Sequence, residues 1–315
     1  MKILYLDQNK WIELALGVKS PDNFPSQYAV VETLVREAKA GNIVIPLTFA
    51  NLYETQKIGN IERRKHLAWV QSTLSQGKVF RGRHERLRVE VTDVLRKVYS
   101  LQMHHRERHW FLSNVFFEAQ CEAADPRLPP ISDRVVEAIE QSPARCMYDY
   151  LAGISEETRT IGVGRFSNGA ATVLEGIEKR RALVANETME FRKRAMSARL
   201  LIDELDLINS LIIQANIPES DWERLKETAC LRVVEDCPTY FIEREIGVRI
   251  EALDRRIVEN DLRDMQSFCA VLAHADIVVA EKLFSNLATQ AGLDKKYGTT
   301  IKPDLYSLPA LVAAA

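Results

Sequence analysis

The sequence predicts an α/β protein in which a small parallel-sheet domain, 1–60 plus 261–315, is split by an all-helical insertion, 61–260. Three observations carry this reading. Both flanks alternate short, β-branched apolar runs with helical periodicity, the pattern of layered α/β folds. The 200 residues between them show helical periodicity and almost nothing strand-like. The flanks together make 115 residues, about one small domain, and neither alone has strands enough for a sheet.

The elements follow in order. Ile3–Leu6 is a short apolar run stopped by Asp7, Gln8 and Asn9, hence a strand that ends on an acid. Trp11, Leu14, Ala15 and Val18 then fall at helical spacing. Tyr28–Ala40 is a second amphipathic helix with Gly41 as its C-terminal stop. Asn42–Leu47 reads as a buried strand, and Thr48 can cap a helix from Phe49 to Gly59. The middle is read as helices over 61–77, 83–101, 133–151, 169–217, 221–234 and 240–258. The fourth of these is too long for one globular helix and should contain a break. Pro126, Pro129 and Pro130 mark a loop, as does Gly162-Val163-Gly164. At the far end come a helix over Leu262–His274, a strand over Asp276–Ala280, a helix over Glu281–Gly292 and a last strand within Thr299–Leu308.

Composition bounds the function. With 46% hydrophobic and 27% charged residues the chain is ordinary for a soluble globular protein, not a disordered, collagenous or coiled-coil one. Five cysteines without a C-x-x-C pair argue against a disulfide scaffold and a cysteine zinc site, so reduced, buried thiols in a cytoplasm are expected. No apolar run approaches the roughly 7–15 residues of a secretion signal or the roughly 20 of a membrane span, so no membrane partner is expected.

The net charge of −2 conceals a segregated arrangement. Residues 55–110 carry 13 Lys and Arg against five acids, a local +8 that leaves −10 on the rest. Five of the six histidines lie there too, and Arg81, Arg83, Arg86 and Arg88 form the densest part. Such a belt can neutralise a phosphate backbone, with Trp69, Phe80, Tyr99 and Trp110 as stacking surfaces. The plainer readings are a solvated helix face, or a surface for an acidic partner protein, and aromatic side chains in the core.

In open parallel sheets, ligands bind beyond the carboxyl ends of the strands. Asp7 directly follows the first strand and Glu281 the Asp276–Ala280 strand. Glu54 lies on the helix after the second strand, and Asp264 on the helix before the Asp276 strand, whose N-terminal turns would stand beside that strand's carboxyl end. Asp276 starts its strand and is read as structural. Singly, Asp7 could cap its helix, Glu281 could favour the dipole of the next, and Glu54 and Asp264 could be solvated. Together, four converging carboxylates repel one another unless a hard cation such as Mg²⁺ or Mn²⁺ joins them. Such a site suits in-line attack of water on a phosphodiester.

Leu4-Tyr5-Leu6-Asp7-Gln8-Asn9-Lys10-Trp11-Ile12 resembles the first strand and acidic turn of PIN-like nuclease domains, with Asn9 as the small polar residue that follows the first acid. Thr48–Glu54 is similar to the segment that brings the second acid, and the stretch from Asp261 through Asp264 to Ala280-Glu281-Lys282-Leu283-Phe284 to the family's C-terminal signature. The resemblance covers the flanks only. It implies a PIN-like three-layer α/β fold and a metal-dependent endoribonuclease, a hydrolase of the kind found in toxin–antitoxin, RNA-processing and anti-phage roles. It also implies Mg²⁺ or Mn²⁺ held by Asp7, Glu54, Asp264 and Glu281, RNA as substrate and an inhibitor or antitoxin protein as partner; a homo-oligomer is compatible with it. Ala280 and Glu281 depart from the usual hydroxyl residue and Asp, and either Asp261 or Asp264 could be the third acid; the 17-residue separation from Glu281 favours Asp264.

Two other readings stand beside it. One is a non-catalytic RNA- or protein-binding module with a degenerate site. The other is a metal-free ribonuclease site in the basic belt, with Arg96 and His104 as candidates. His105 and His109 lack a correctly spaced glutamate for a zincin, no phosphate-binding loop occurs, and Gly162-Val163-Gly164 lacks the third glycine of a dinucleotide fingerprint.

Overall fold

The computed structural model describes residues 1–120 and 131–313; Pro126, Pro129, Pro130 and Cys121 lie outside the described residues. The first flank folds as β1 (Lys2–Leu6), α1 (Gln8–Lys19), α2 (Pro25–Lys39), β2 (Ile43–Val44) and α3 (Phe49–Lys57). Gly41 turns the chain after α2 at φ +74°, a conformation that costs a side-chain-bearing residue more. Asn51 Oδ1 accepts the Thr48 N–H at 3.0 Å and so closes the start of α3.

The middle runs through α4 (Ile61–Ser75), β3 (Val79–Phe80), α5 (Arg83–Val98), β4 (Leu112–Ser113), α6 (Asp133–Gln141), α7 (Pro143–Gly153), α8 (Glu156–Leu183), α9 (Met189–Asp203), α10 (Leu205–Gln214), α11 (Glu219–Asp236) and α12 (Pro238–Glu251). It differs from the sequence expectation in three places. Pro143 opens α7 and divides the helix read over 133–151. Gly162-Val163-Gly164 lies inside α8, which starts at a Ser155 cap and is held by Phe166, packed on Phe49 and Tyr53, and by buried Ala170 and Ile177. β3 and β4 form an antiparallel pair, and Val79 bridges to Leu47. Two-residue strands carry no legible period. The break expected within 169–217 is present twice, where Thr188 caps α9 and where Glu204 separates α9 from α10.

The second flank gives α13 (Glu259–Val271), β5 (Ile277–Val279), α14 (Lys282–Gln290), α15 (Leu293–Tyr297), β6 (Thr300–Lys302) and α16 (Leu308–Ala313). The four flank strands form one parallel sheet in the order β2-β1-β5-β6, with Leu6 opposite Val279. β1 is buried on both faces, as its unbroken apolar run requires. Leu4 and Leu6 enter a core with Trp11, Leu14 and Leu34, while Ile3 and Tyr5 enter one with Val278, Phe268 and Phe284. α4 adds Leu67, Val70 and Leu74 to the first core. A third core, built on Leu87, Val91, Leu95, Leu211 and Val233, joins α5 to α10 and α11.

Among the described residues Cys237 and Cys269 are buried, Cys146 and Cys230 half-buried, and all four are free thiols. No described helix is long and apolar enough to cross a membrane.

Candidate metal centre

The strand pairing sets the site. Because Leu6 and Val279 are in register, Asp7 and Glu281 leave the same edge of two adjacent strands, and the Asp7 N–H donates to Val279 O at 2.9 Å. Asp7 also serves as the cap of α1, its Oδ1 accepting the Gln8 N–H at 2.8 Å. Capping and convergence are therefore compatible for this residue. Glu281 is the N-cap residue of α14 and is exposed, without capping through its side chain. It accepts instead from Asn9 Nδ2, across from α1.

α13 packs between α3 and α14, which brings Asp264 to this edge. Asp7, Asp264 and Glu281 line one narrow crevice whose floor is Tyr5, Ser267, Phe268 and Phe284. Asp261 is elsewhere: its carboxylate takes both Arg255 nitrogens at 2.6 and 2.7 Å and the Val258 N–H at 2.8 Å. Of the two candidates for a third acid, only Asp264 faces the crevice.

Glu54, on α3, is drawn aside by Arg263, which donates Nε to Glu54 Oε1 at 2.9 Å. Arg263 is itself buried, and it also donates to Glu259 and, at 2.7 Å, to Asn260 Oδ1. Its presence is foreshadowed in the sequence only as a Glu259–Arg263 i,i+4 pair, a weak signal. The acids are not alone at this edge: a buried cation, Arg263, sits beside Glu54. Among the described residues, no three His, Cys, Asp or Glu side chains are gathered around one point as metal ligands. Glu54 is held by Arg263, and Glu281, at the crevice, by Asn9.

Electrostatics nonetheless couples the four. Burial pushes Asp264 up to about 8, and the charges of Asp7, Glu54 and Glu281 add to the rise. Burial likewise raises Asp7 to about 6, assisted by Glu54 and Glu281 and opposed by the Gln8 N–H. Glu54 is raised by burial against the opposing charge of Arg263. Neighbouring acids that raise one another's carboxyl groups are chemistry that a hard divalent cation relieves.

The basic belt needs correction. Arg86 is buried at 2% exposure and donates to Arg81 O. Arg83 is clamped by Glu243, at 2.6 Å, and by Glu204. Arg81 pairs with Glu118 at 2.5 Å and donates to Trp110 O. Only Arg88 is well exposed, and it pairs with Glu85. With Arg81 and Arg83 held by acids distant in sequence, Arg86 by a carbonyl and Arg88 by its neighbour, these four residues do not present a row of free guanidinium groups. Phe80 is core and Trp69 is exposed. Arg96 donates to Gln102 O, while His104 and His105 are exposed in an irregular stretch and His109 lies in the turn after it, so His105 and His109 do not share a helix face.

No protein-family model, curated protein or solved structure matches this chain.

Proposed function

We propose that the chain is a divalent-metal-dependent endoribonuclease of the PIN-like kind, with its centre at Asp7, Asp264, Glu281 and Glu54. One observation carries the reading. Asp7 and Asp264 converge at the carboxyl ends of paired parallel strands, and burial, with the charges of neighbouring acids added to it, holds both above the usual carboxylate range. When bound, Mg²⁺ or Mn²⁺ supplies the positive charge that stabilises a phosphodiester in its transition state.

The protein's own residues do the rest. Asp7 and Asp264 present oxygens from rigid positions, one at a strand end and one on a packed helix. Asn9 fixes the longer arm of Glu281, and Arg263 orients Glu54. Tyr5, Phe268 and Phe284 close the crevice from below and keep water out of its floor.

The test is cleavage of single-stranded RNA with Mn²⁺ or Mg²⁺ by wild type and Asp7→Asn. The expected products carry 5′-phosphate and 3′-hydroxyl ends and are lost in the variant. Equal cleavage by both proteins removes this site from consideration. A second reading, a non-catalytic RNA- or protein-binding module, is favoured by the Arg263–Glu54 pair, which supplies a resident cation to one of the four acids. Metal-independent RNA binding without cleavage would select it.

A further inference from the structure

A cavity of about 340 Å³ lies at the seam between α3 and α13 on one side and α8, α9 and α12 on the other. We propose that it is a binding site for an uncharged, predominantly apolar small molecule. This goes beyond the proposed cleavage and does not depend on it.

Size and lining come first. Volumes of roughly 300–1,000 Å³ with apolar walls are typical of small-molecule sites, which favour seams between structural layers. Here the walls are mainly apolar, with Val173, Ile177, Met196, Leu200, Ile250 and Met265 among them. Two are methionines, whose unbranched, polarisable side chains adapt to an occupant's shape.

The charges at the wall decide the ligand's class. Five arginines and five acids line the cavity, so its formal charge cancels. Most are paired: Arg83 with Glu204 and Glu243, Arg180 with Glu251, Arg199 with Asp203 and Arg81 with Glu118, while Arg86 donates to Arg81 O. Asp261 is held by Arg255 from outside. A cationic occupant would have to break one of these pairs, whereas an uncharged one leaves them intact.

A glycine supplies an independent observation. Gly247 sits in the middle of α12, where nearly every neighbour is buried and where glycine is disfavoured relative to alanine. It lines the cavity, and a Cβ there would stand 3.2 Å from the Met196 Cε, tighter than an ordinary contact. Glycine thus lets Met196 close against α12 at the cavity wall, and a larger side chain would push that methionine into the space.

The full-length protein carrying ¹³C-methyl methionine can be titrated with Nile red, a neutral apolar dye, and in parallel with anilinonaphthalene sulfonate, an anionic one. Saturable one-to-one binding of Nile red is expected to shift the Met196 and Met265 methyl resonances and leave Met1, Met103, Met147 and Met189 in place. Gly247→Leu, with its fold checked by thermal melting, should weaken that binding about tenfold. Nile red that fails to bind, or that binds without moving the Met196 and Met265 methyls, overturns the site. Tighter binding of the anionic dye to the same two methyls overturns the ligand class. Because the wild-type methyl shifts are read without any substitution, a Gly247→Leu protein that does not fold leaves the test decisive.

Discussion

Arg263 donates Nε to Glu54 Oε1 at 2.9 Å, and so joins α13 to α3 beside the acids of the crevice. The guanidinium is 8% exposed and the carboxylate 20%. Removing one partner of such a pair leaves the other poorly solvated. Arg263→Ala is expected to lower metal-free stability by about 2 kcal/mol, less than for a fully buried pair because Glu54 keeps some solvent. Arg263→Lys keeps the charge but not the fork to Glu259 and Asn260, and should recover only part. Chemical denaturation in the presence of chelator measures both, and unchanged midpoints would remove this pair from the account of the site.

Asp264 and Asp7 make metal-free stability depend on pH with a defined sign. Both carboxyl groups sit above their ordinary value near 3.8, at about 8 and about 6. The folded state therefore binds more protons than the unfolded one over that range, and their contribution is lost as pH rises through 6 and then 8. In chelator, Asp264→Asn is expected to raise the melting temperature relative to wild type at pH 8.5, by the equivalent of ~2 kcal/mol, and to change it much less at pH 4. A variant effect that is equal at both pH values would show that Asp264 is not held protonated.

The same groups predict which acids answer to metal. Mn²⁺ at about a hundredfold excess over its Kd should stabilise the protein by roughly 2.7 kcal/mol, increasingly with pH because binding displaces protons. Asp7→Asn and Asp264→Asn should abolish that increment. Asp261→Asn should retain it while losing intrinsic stability, because Arg255 loses its carboxylate and one of the two oxygens that accept from Arg255 and the Val258 N–H is gone. Thermal melts with and without Mn²⁺ separate the two outcomes; an increment lost only in Asp261→Asn would move the centre to Asp261, about one turn earlier on α13.

What could be read beforehand divides by sequence range. β1 was legible because four apolar residues in a row ending on Asp7 suit a strand buried on both faces and stopped at a rim. The placement of Asp7 and Glu281 followed from the general location of sites in parallel sheets, and needed only β1 and β5 to be neighbours. A charge count sees neighbours along the chain, and so misses that Arg83 is held by Glu204 and Glu243, 121 and 160 residues away, and that Arg86 is buried. Gly162-Val163-Gly164 was misread as a loop because glycine lowers helix propensity, and the packing of Phe166, Ala170 and Ile177 that overrides it is tertiary.

Arg83 and Arg88 now make opposite predictions within the same basic run. Arg83 ties α5 to Glu204 and Glu243 with a side chain 28% exposed, and Arg83→Gln leaves two partly buried acids without their cation. That change is expected to cost about 2 kcal/mol. Arg88 is 49% exposed and faces only Glu85 one turn away, so Arg88→Gln should stay within about 0.5 kcal/mol. RNA binding sorts them the other way. With the folded fraction matched, Arg83→Gln should leave RNA affinity and its salt dependence unchanged, because the guanidinium is committed inside the protein. Arg88→Gln, if that side chain meets a phosphate, should weaken binding uniformly across sequences and lower the salt slope by about 1. Fluorescence anisotropy of labelled RNA over a salt series reads both, and a salt slope lowered by Arg83→Gln in a fully folded protein would restore the belt as an RNA-facing surface.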